Sequence, residues 1–325
     1  MSAAPSAKPA LTKPAPWAFA APWGARGYVS DLDGPVHWIE FGEESGPGRD
    51  GTPIVFVHGL GGSHLNWCLI GPELAAGRRA VALDLHGFGL TPGTRATSAV
   101  QRNTRLLDRF VREVTGMPVI LAGNSMGGLI SIMQASTAPE TVRGLVLIDP
   151  ALPPPRGVPD RQVGSQFLIY ALPGLGEFYL RSVQSRQPPQ LAVQRVIELC
   201  FADPSRIDPA MFTASIALAT ERQGQGSRAR NEAFLAASRS LMRVVGLRRR
   251  YWEMMASVRV PVLLVGGEAD RLVPVASMRQ AAARNPGWET VILPGVGHTP
   301  QLEVPDAVAG ALQGWLGRHF APAAA

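Results

Sequence analysis

The chain has 325 residues, 46% of them hydrophobic and 17% charged. This composition excludes a disordered polypeptide and leaves room for a sizeable core. The formal net charge is +6, and 29 of the 31 basic residues are arginine, with Lys8 and Lys13 the exceptions. No uninterrupted apolar run reaches 18 residues, so no transmembrane helix is expected, and nothing resembles a nucleic-acid-binding motif.

Residues 1–26 are rich in Ala and Pro and read as a mobile arm. They lack the continuous apolar stretch of a signal peptide, although "AFA" at residues 18–20 leaves a secreted reading open; a cytoplasmic location is expected. Tyr28–Leu32 and His37–Phe41 read as strands joined by a turn at Asp33-Gly34-Pro35. Ile54–Val57, Arg79–Leu85, Val119–Ala122, Leu145–Ile148, Val262–Val265 and Val291–Leu293 are short, nearly continuous apolar runs. Such runs suit strands of a parallel sheet covered on both faces. Helical patterns lie between them at Asn66–Ala76, Ser98–Thr115, Met126–Ala135, Ser277–Arg284 and Pro305–Leu316. Strands alternating with helices predict a doubly wound α/β sheet.

The alternation stops after Asp149. The prolines of "PALPPPRGVPD" open a stretch with no clear strand, in which helices are expected at Gly164–Tyr179, Leu191–Phe201, Ala210–Thr220, Asn231–Val245 and Arg248–Ala256. The division this predicts is an arm over 1–26, a core over 27–150 and 258–320, and a helical cap over 151–257. The cap span holds 14 arginines against 8 acidic residues, while the remainder is balanced. It is therefore either a solvated basic face or a surface for an anionic partner or membrane. Cys68 and Cys200 fit no metal-ligand spacing and read as free thiols of a reducing compartment, with a disulfide as the other reading.

Gly123-Asn124-Ser125-Met126-Gly127 follows one predicted strand and opens a helix. In that context the serine sits on a sharp turn that lifts its hydroxyl clear of the sheet, and only small residues fit beside it. The helix N-terminus offers unpaired N–H groups to developing negative charge. A serine nucleophile needs a base, and His298 stands in a Gly-rich loop after the last strand. The base needs a partner to fix its tautomer. Asp270 lies just past Val262–Val265, and Asp149, before Pro150, is the competing acid. His58-Gly59-Leu60-Gly61-Gly62 forms a turn in which His58 and Gly59 support the loop. The backbone N–H groups of Leu60 and Met126 make the natural oxyanion pair, each such donor being worth on the order of 100- to 1000-fold in rate. Asp84 is expected to bond turn backbone.

With "HGLGG" at His58–Gly62, "DLHGFG" at Asp84–Gly89, "GNSMGG" at Gly123–Gly128, "GGEAD" at Gly266–Asp270 and "GHTPQLEVP" at Gly297–Pro305, the chain resembles the α/β-hydrolase fold superfamily. The resemblance is to its capped serine hydrolases and runs from about Tyr28 to His319. It implies a mostly parallel eight-stranded sheet with helices on both faces and a helical cap between the strands near residues 145–148 and 262–265. It also implies Ser125 as nucleophile, His298 as base, Asp270 as orienting acid, and Leu60 and Met126 as oxyanion donors. Relatives usually carry proline where His86 stands. Dehalogenases and epoxide hydrolases of this fold use aspartate at the elbow, so Ser125 points to acyl-enzyme chemistry with no metal or organic cofactor. The expected function is a carboxylesterase-type hydrolase of an apolar, moderate-length acyl or aromatic ester. Carbon–carbon hydrolysis of vinylogous diketones, acyl transfer, and a small-molecule receptor remain as alternatives.

Overall fold

The computed structural model describes residues 10–15, 19–42, 51–155, 169–182, 187–224 and 227–320. Nine strands form one sheet: β1 (Thr12–Ala15), β2 (Arg26–Asp31), β3 (Pro35–Phe41), β4 (Gly51–Val57), β5 (Arg78–Leu83), β6 (Val119–Asn124), β7 (Val142–Ile148), β8 (Val262–Gly267) and β9 (Glu289–Leu293). Their order is β1-β2-β3-β5-β4-β6-β7-β8-β9. The first three run antiparallel to their neighbours and the others are parallel. The strand beyond the expected eight is β1, which lies within the stretch expected to be a mobile arm. It pairs with β2, pinned by Thr12 Oγ1 to Ser30 Oγ at 2.7 Å. Its Lys13 and Pro14 suit an edge strand, where a missing N–H costs nothing to the ladder.

The central strands are nearly continuous apolar runs because both faces are covered. In β4, Val55 and Val57 face one core while Ile54 and Phe56 face the other. The same alternation runs through β6, where Leu121 opposes Ile120, and β7, where Leu147 opposes Val146. Each such side chain contributes roughly 1.5–3 kcal/mol through burial. The first face is covered by α1 (Val100–Phe110) and α2 (Met126–Thr137). The expected helix over Ser98–Thr115 keeps its extent, but its last turn, Val111–Thr115, widens to a π-turn and stops at Gly116 with φ 70°. The helix expected over Asn66–Ala76 is broken into a 3₁₀ turn, His64–Trp67, and a single turn, Gly71–Leu74, with Pro72 at its start.

Between β7 and β8 the described residues hold α3 (Leu175–Ser182), α4 (Pro189–Cys200), α5 (Pro209–Gly224), α6 (Ser227–Gly246) and α7 (Arg248–Ala256), and no strand. Of the helix expected over Gly164–Tyr179, residues 164–168 lie outside the described residues; the remainder is interrupted by a turn before α3 begins at Leu175. Tyr251 of α7 anchors this insertion to the sheet edge by donating its hydroxyl to Ala151 O at 2.7 Å. The chain ends with α8 (Val275–Arg284) against the first face and α9 (Pro305–Phe320) against the second. No helix among the described residues is long and apolar enough to cross a membrane.

Besides packing its apolar side chains into the core, α2 comes into backbone contact with the sheet. A Cβ at Gly127 would lie 2.0 Å from Val57 O, whereas one at Gly310, in mid-α9, meets nothing within 4 Å. Gly127→Ala is therefore expected to lose about 3 kcal/mol or more, because overpacking here displaces backbone. Gly310→Ala should instead gain up to about 1 kcal/mol from helix propensity. Urea denaturation of the two variants checks both signs.

Candidate active site

Ser125 occupies the single residue between β6 and α2, with φ 54° and ψ −117°. A non-glycine residue there carries strain of about 1–3 kcal/mol, and its neighbours enforce it. The Ser125 N–H donates to Ile148 O at 3.1 Å, and its carbonyl accepts from Leu129 N at 3.1 Å and Ala151 N at 2.9 Å. A Cβ at Gly123 would fall 2.5 Å from the Gly127 carbonyl, so the two glycines of the motif make a crossing that larger residues forbid. The Ser125 hydroxyl does not cap its own helix.

The loop after β4 approaches the serine from the other side. A Cβ at Gly59 would lie 3.1 Å from Ser125 Cβ, so Leu60 follows directly on the closest approach. His58 is fully buried; its Nδ1–H donates to Gly59 O at 2.7 Å and its Nε2 accepts from Leu85 N at 3.1 Å. Burial lowers its pKa to about 4, and neutral it bridges two loops. Gly62 N closes the turn on Gly59 O at 3.1 Å, and Ser63 with Asn66 caps the following 3₁₀ turn.

Asp84 does more than bond one turn. Its oxygens accept from His64 N (2.7 Å), Leu90 N (2.8 Å), His37 Nδ1 (2.8 Å) and His64 Nδ1 (2.9 Å). Burial alone would raise its pKa, but the His64 and His37 imidazoles outweigh it and hold the carboxyl well below the usual carboxylate range. These three side chains are spaced closely enough to suggest a metal-ligand set. However, Oδ2 already serves three donors, and both ring Nδ1 atoms point at it. Each ring Nε2 is buried without a hydrogen-bond partner among the described residues. The geometry is that of a hydrogen-bond hub tying β3 to the loops after β4 and β5.

His298 and Asp270 are brought together. His298 Nδ1 donates to Asp270 Oδ2 at 2.7 Å, with both residues buried. Asp270 Oδ1 accepts from Leu272 N at 2.7 Å and Val273 N at 3.0 Å, which aims the other oxygen at the ring. Asn124, one residue before the serine, donates through Nδ2 to both His298 O (3.1 Å) and Ile148 O (3.0 Å). It thereby ties the elbow to the histidine loop. No hydrogen bond among the described residues joins the Ser125 hydroxyl to the His298 ring, a contact that commonly tightens only with substrate. His298 N also donates to Cys200 O at 2.6 Å, and Glu303 accepts from Gly297 N (2.8 Å), Ala202 N (3.1 Å), Asp203 N (3.0 Å) and Arg206 Nη1 (3.1 Å).

Asn124 and Glu303 were inside the quoted motifs, but nothing in their spacing announces these roles. His86 donates through Nδ1 to Pro92 O at 3.4 Å and serves its own loop. Both cysteines are free thiols; burial pushes that of Cys200 up to about 12. Several arginines of the insertion, Arg206, Arg228, Arg239 and Arg249, are paired with carboxylates. A cavity of about 330 Å³ beside Arg95, Glu177 and Arg239 includes none of the predicted catalytic residues.

A family model described as the alpha/beta hydrolase family matches residues 54–311. The chain is 30% identical over 295 residues to the dihydrolipoyllysine-residue acetyltransferase component of the acetoin cleaving system of Pseudomonas putida, covering 87% of this chain and 67% of that one. It is 26% identical over 275 residues to the 2-hydroxy-6-oxo-6-(2'-aminophenyl)hexa-2,4-dienoic acid hydrolase of Metapseudomonas resinovorans, covering 83% and 85%. Among solved structures, the haloalkane dehalogenase DatA of Agrobacterium tumefaciens C58 superposes with a TM-score of 0.72 at 21% identity, over 91% of this chain and 97% of that one. At that identity the likeness concerns the fold.

The Asp84 hub gives a pH signature. A carboxyl held below its unfolded value stabilises the fold at pH above the unfolded pKa of about 3.9, and the contribution disappears as pH falls through the folded value. Asp84→Asn is expected to cost about 3–5 kcal/mol at pH 7, as for a broken buried pair. The gap to wild type should stay constant down to about pH 5 and narrow below pH 4. Urea denaturation across pH 3–8 measures it, and a gap unchanged at pH 3 would remove the anionic role.

Proposed function

The chain belongs to the alpha/beta hydrolase family, and on that premise we propose that it is a serine hydrolase of carboxylic esters bearing an apolar acyl or aromatic group. The observation that carries this reading is the strained Ser125 at the head of α2, on the same sheet edge as the 2.7 Å His298–Asp270 pair. Ser125 Oγ attacks the ester carbonyl as His298 Nε2 takes its proton. The tetrahedral oxyanion forms where the Leu60 and Met126 N–H groups can meet it. His298 returns the proton to the leaving alcohol, leaving an acyl-enzyme. Water, deprotonated by the same ring, then releases the acid and restores the serine. Asp270 holds the imidazole with Nδ1–H toward the carboxylate and Nε2 free for the serine.

The helices between Ala151 and Ser257 act as a cap in this reading. They bring Phe234 to 3.8 Å from the Cβ position of Gly61, and Ala233 against Gly87. Apolar groups therefore roof the loop that carries Leu60, which supports an apolar acyl part rather than a polar one. Two other readings rest on the names of the relatives: hydrolysis of a keto-dienoic acid and acyl transfer.

A fluorophosphonate probe is expected to label the wild type and not Ser125→Ala. On p-nitrophenyl esters from acetate to octanoate, Ser125→Ala should lose at least about 10⁴-fold in kcat. Failure to label the wild type would remove the activated serine. Turnover of vinylogous diketones faster than of any ester would favour the carbon–carbon reading. Acyl products appearing only when an alcohol or thiol acceptor is added would favour transfer.

A further inference from the structure

Asp149 lies on the same sheet edge with no role in the chemistry above. It follows β7 directly, is fully buried, and takes a positive φ of 39°. Its N–H donates to Val265 O at 2.8 Å, and both carboxyl oxygens lie 3.1 Å from Gly267 N. A Cβ at Gly266 would stand 3.1 Å from its Oδ1, so the carboxyl fills the place where β8 turns toward Asp270. The Asp270 carboxyl lies beyond the same Gly267 turn, near enough to Asp149 for the two side chains to share a hydrogen bond. Two carboxyl groups can share a hydrogen bond only if one of them carries a proton. Asp270 accepts two backbone N–H bonds and one from the His298 ring, so both of its oxygens already serve donors. Asp149 has the Gly267 N–H alone among described donors, with burial and the neighbouring Asp270 charge both raising its pKa well above the ordinary range. A proton shared by the two is therefore better placed on Asp149 than on Asp270.

Resting on the serine-hydrolase reading, we infer that Asp149 is a positioning residue of the triad: its carboxyl donates a hydrogen bond to Asp270 while accepting from Gly267 N–H, fixing the Asp270 carboxylate against His298. It touches neither substrate nor the reacting atoms. The donated bond also spreads the Asp270 charge, so the ring beside it releases its proton more readily to the leaving group. Asparagine can do both tasks, with Nδ2 donating and Oδ1 accepting, and it tolerates a positive φ. Glycine tolerates the φ and does neither.

The test compares Asp149→Gly, Asp149→Asn and Asp270→Asn on one ester, with a fluorophosphonate labelling rate for each. Asp149→Gly is expected to lose 10- to 100-fold in kcat with KM within threefold. The acidic limb of its pH–rate profile should move upward by at least 0.5 pH unit, because Asp270 then presents more charge to the ring. Asp149→Asn should rescue kcat to within fivefold and restore the limb. Asp270→Asn should lose about 10⁴-fold, as expected when the ring's partner becomes neutral. A folded Asp149→Gly with an unmoved limb would overturn the inference, leaving only a structural part for the carboxyl. So would Asp149→Asn as impaired as Asp149→Gly. An Asp270→Asn variant retaining more activity than Asp149→Gly would make Asp149 the acid itself. Absence of labelling in the wild type would instead bring down the underlying hydrolase reading.

Discussion

The crossing of α2 over β4 at the Ser125 turn is the constraint on which the site depends. Hydrogen atoms at Gly123 and Gly127 allow the helix backbone to come within contact of the Val57 carbonyl. That approach forces Ser125 into a left-handed conformation, at a cost of about 1–3 kcal/mol. The cost is carried by the two cores, which bury the whole of β6 and the inner face of α2. Remove the crossing and the helix N-terminus no longer aims at the same point as the loop after β4. Nothing about Ser125 as a chemical group is special; its environment is.

Around that turn, three buried carboxyl groups organise the loops, and each solves the problem of burial differently. Asp84 stays anionic because two imidazoles and two backbone N–H groups meet it. Asp270 has two backbone N–H groups and one imidazole. Glu303 gathers three backbone N–H groups and Arg206. A buried carboxylate without such partners would cost several kcal/mol, so each one fixes its donors' loops in a single arrangement. The loops at the C-terminal edge of a parallel sheet have many free N–H groups and few strands to satisfy them. Acidic side chains that collect these groups turn irregular segments into a rigid platform.

Much of this was legible beforehand, for identifiable reasons. Strands buried on both faces are continuous apolar runs, and Ile54–Val57 or Leu145–Ile148 cannot be read otherwise once helical stretches flank them. The serine turn was legible because steric exclusion leaves glycine as a fingerprint. Asp270 and His298 could be located because the topology forces residues after β8 and β9 to one edge. What escaped was set by contacts distant in sequence. Edge strand β1 has too few apolar residues to signal itself, and its pairing with β2 depends on Thr12 meeting Ser30. Pro72 breaks the expected helix over Asn66–Ala76, where the apolar spacing alone reads as continuous. Asn124 and Glu303 carry no spacing rule, since most of their partners are backbone atoms, up to 174 positions away.

The histidine loop and the segment that follows α4 are in effect one polar unit. Cys200, the last residue of α4, accepts from His298 N at 2.6 Å, and Glu303 holds Gly297 with Ala202, Asp203 and Arg206. A Cβ at Gly297 would reach Cys200 O at 2.3 Å, so the segments are in backbone contact and cannot slide past one another. Tyr251, bonded to Ala151 O, fixes the insertion at its other end. Movement of the intervening helices is therefore restrained at residues 200–206 and 251. Displacing the first of these points would carry His298 away from Asn124 and Asp270. The helical insertion is thus not independent of these loops: part of what holds His298 in register with Ser125 is supplied by the insertion itself.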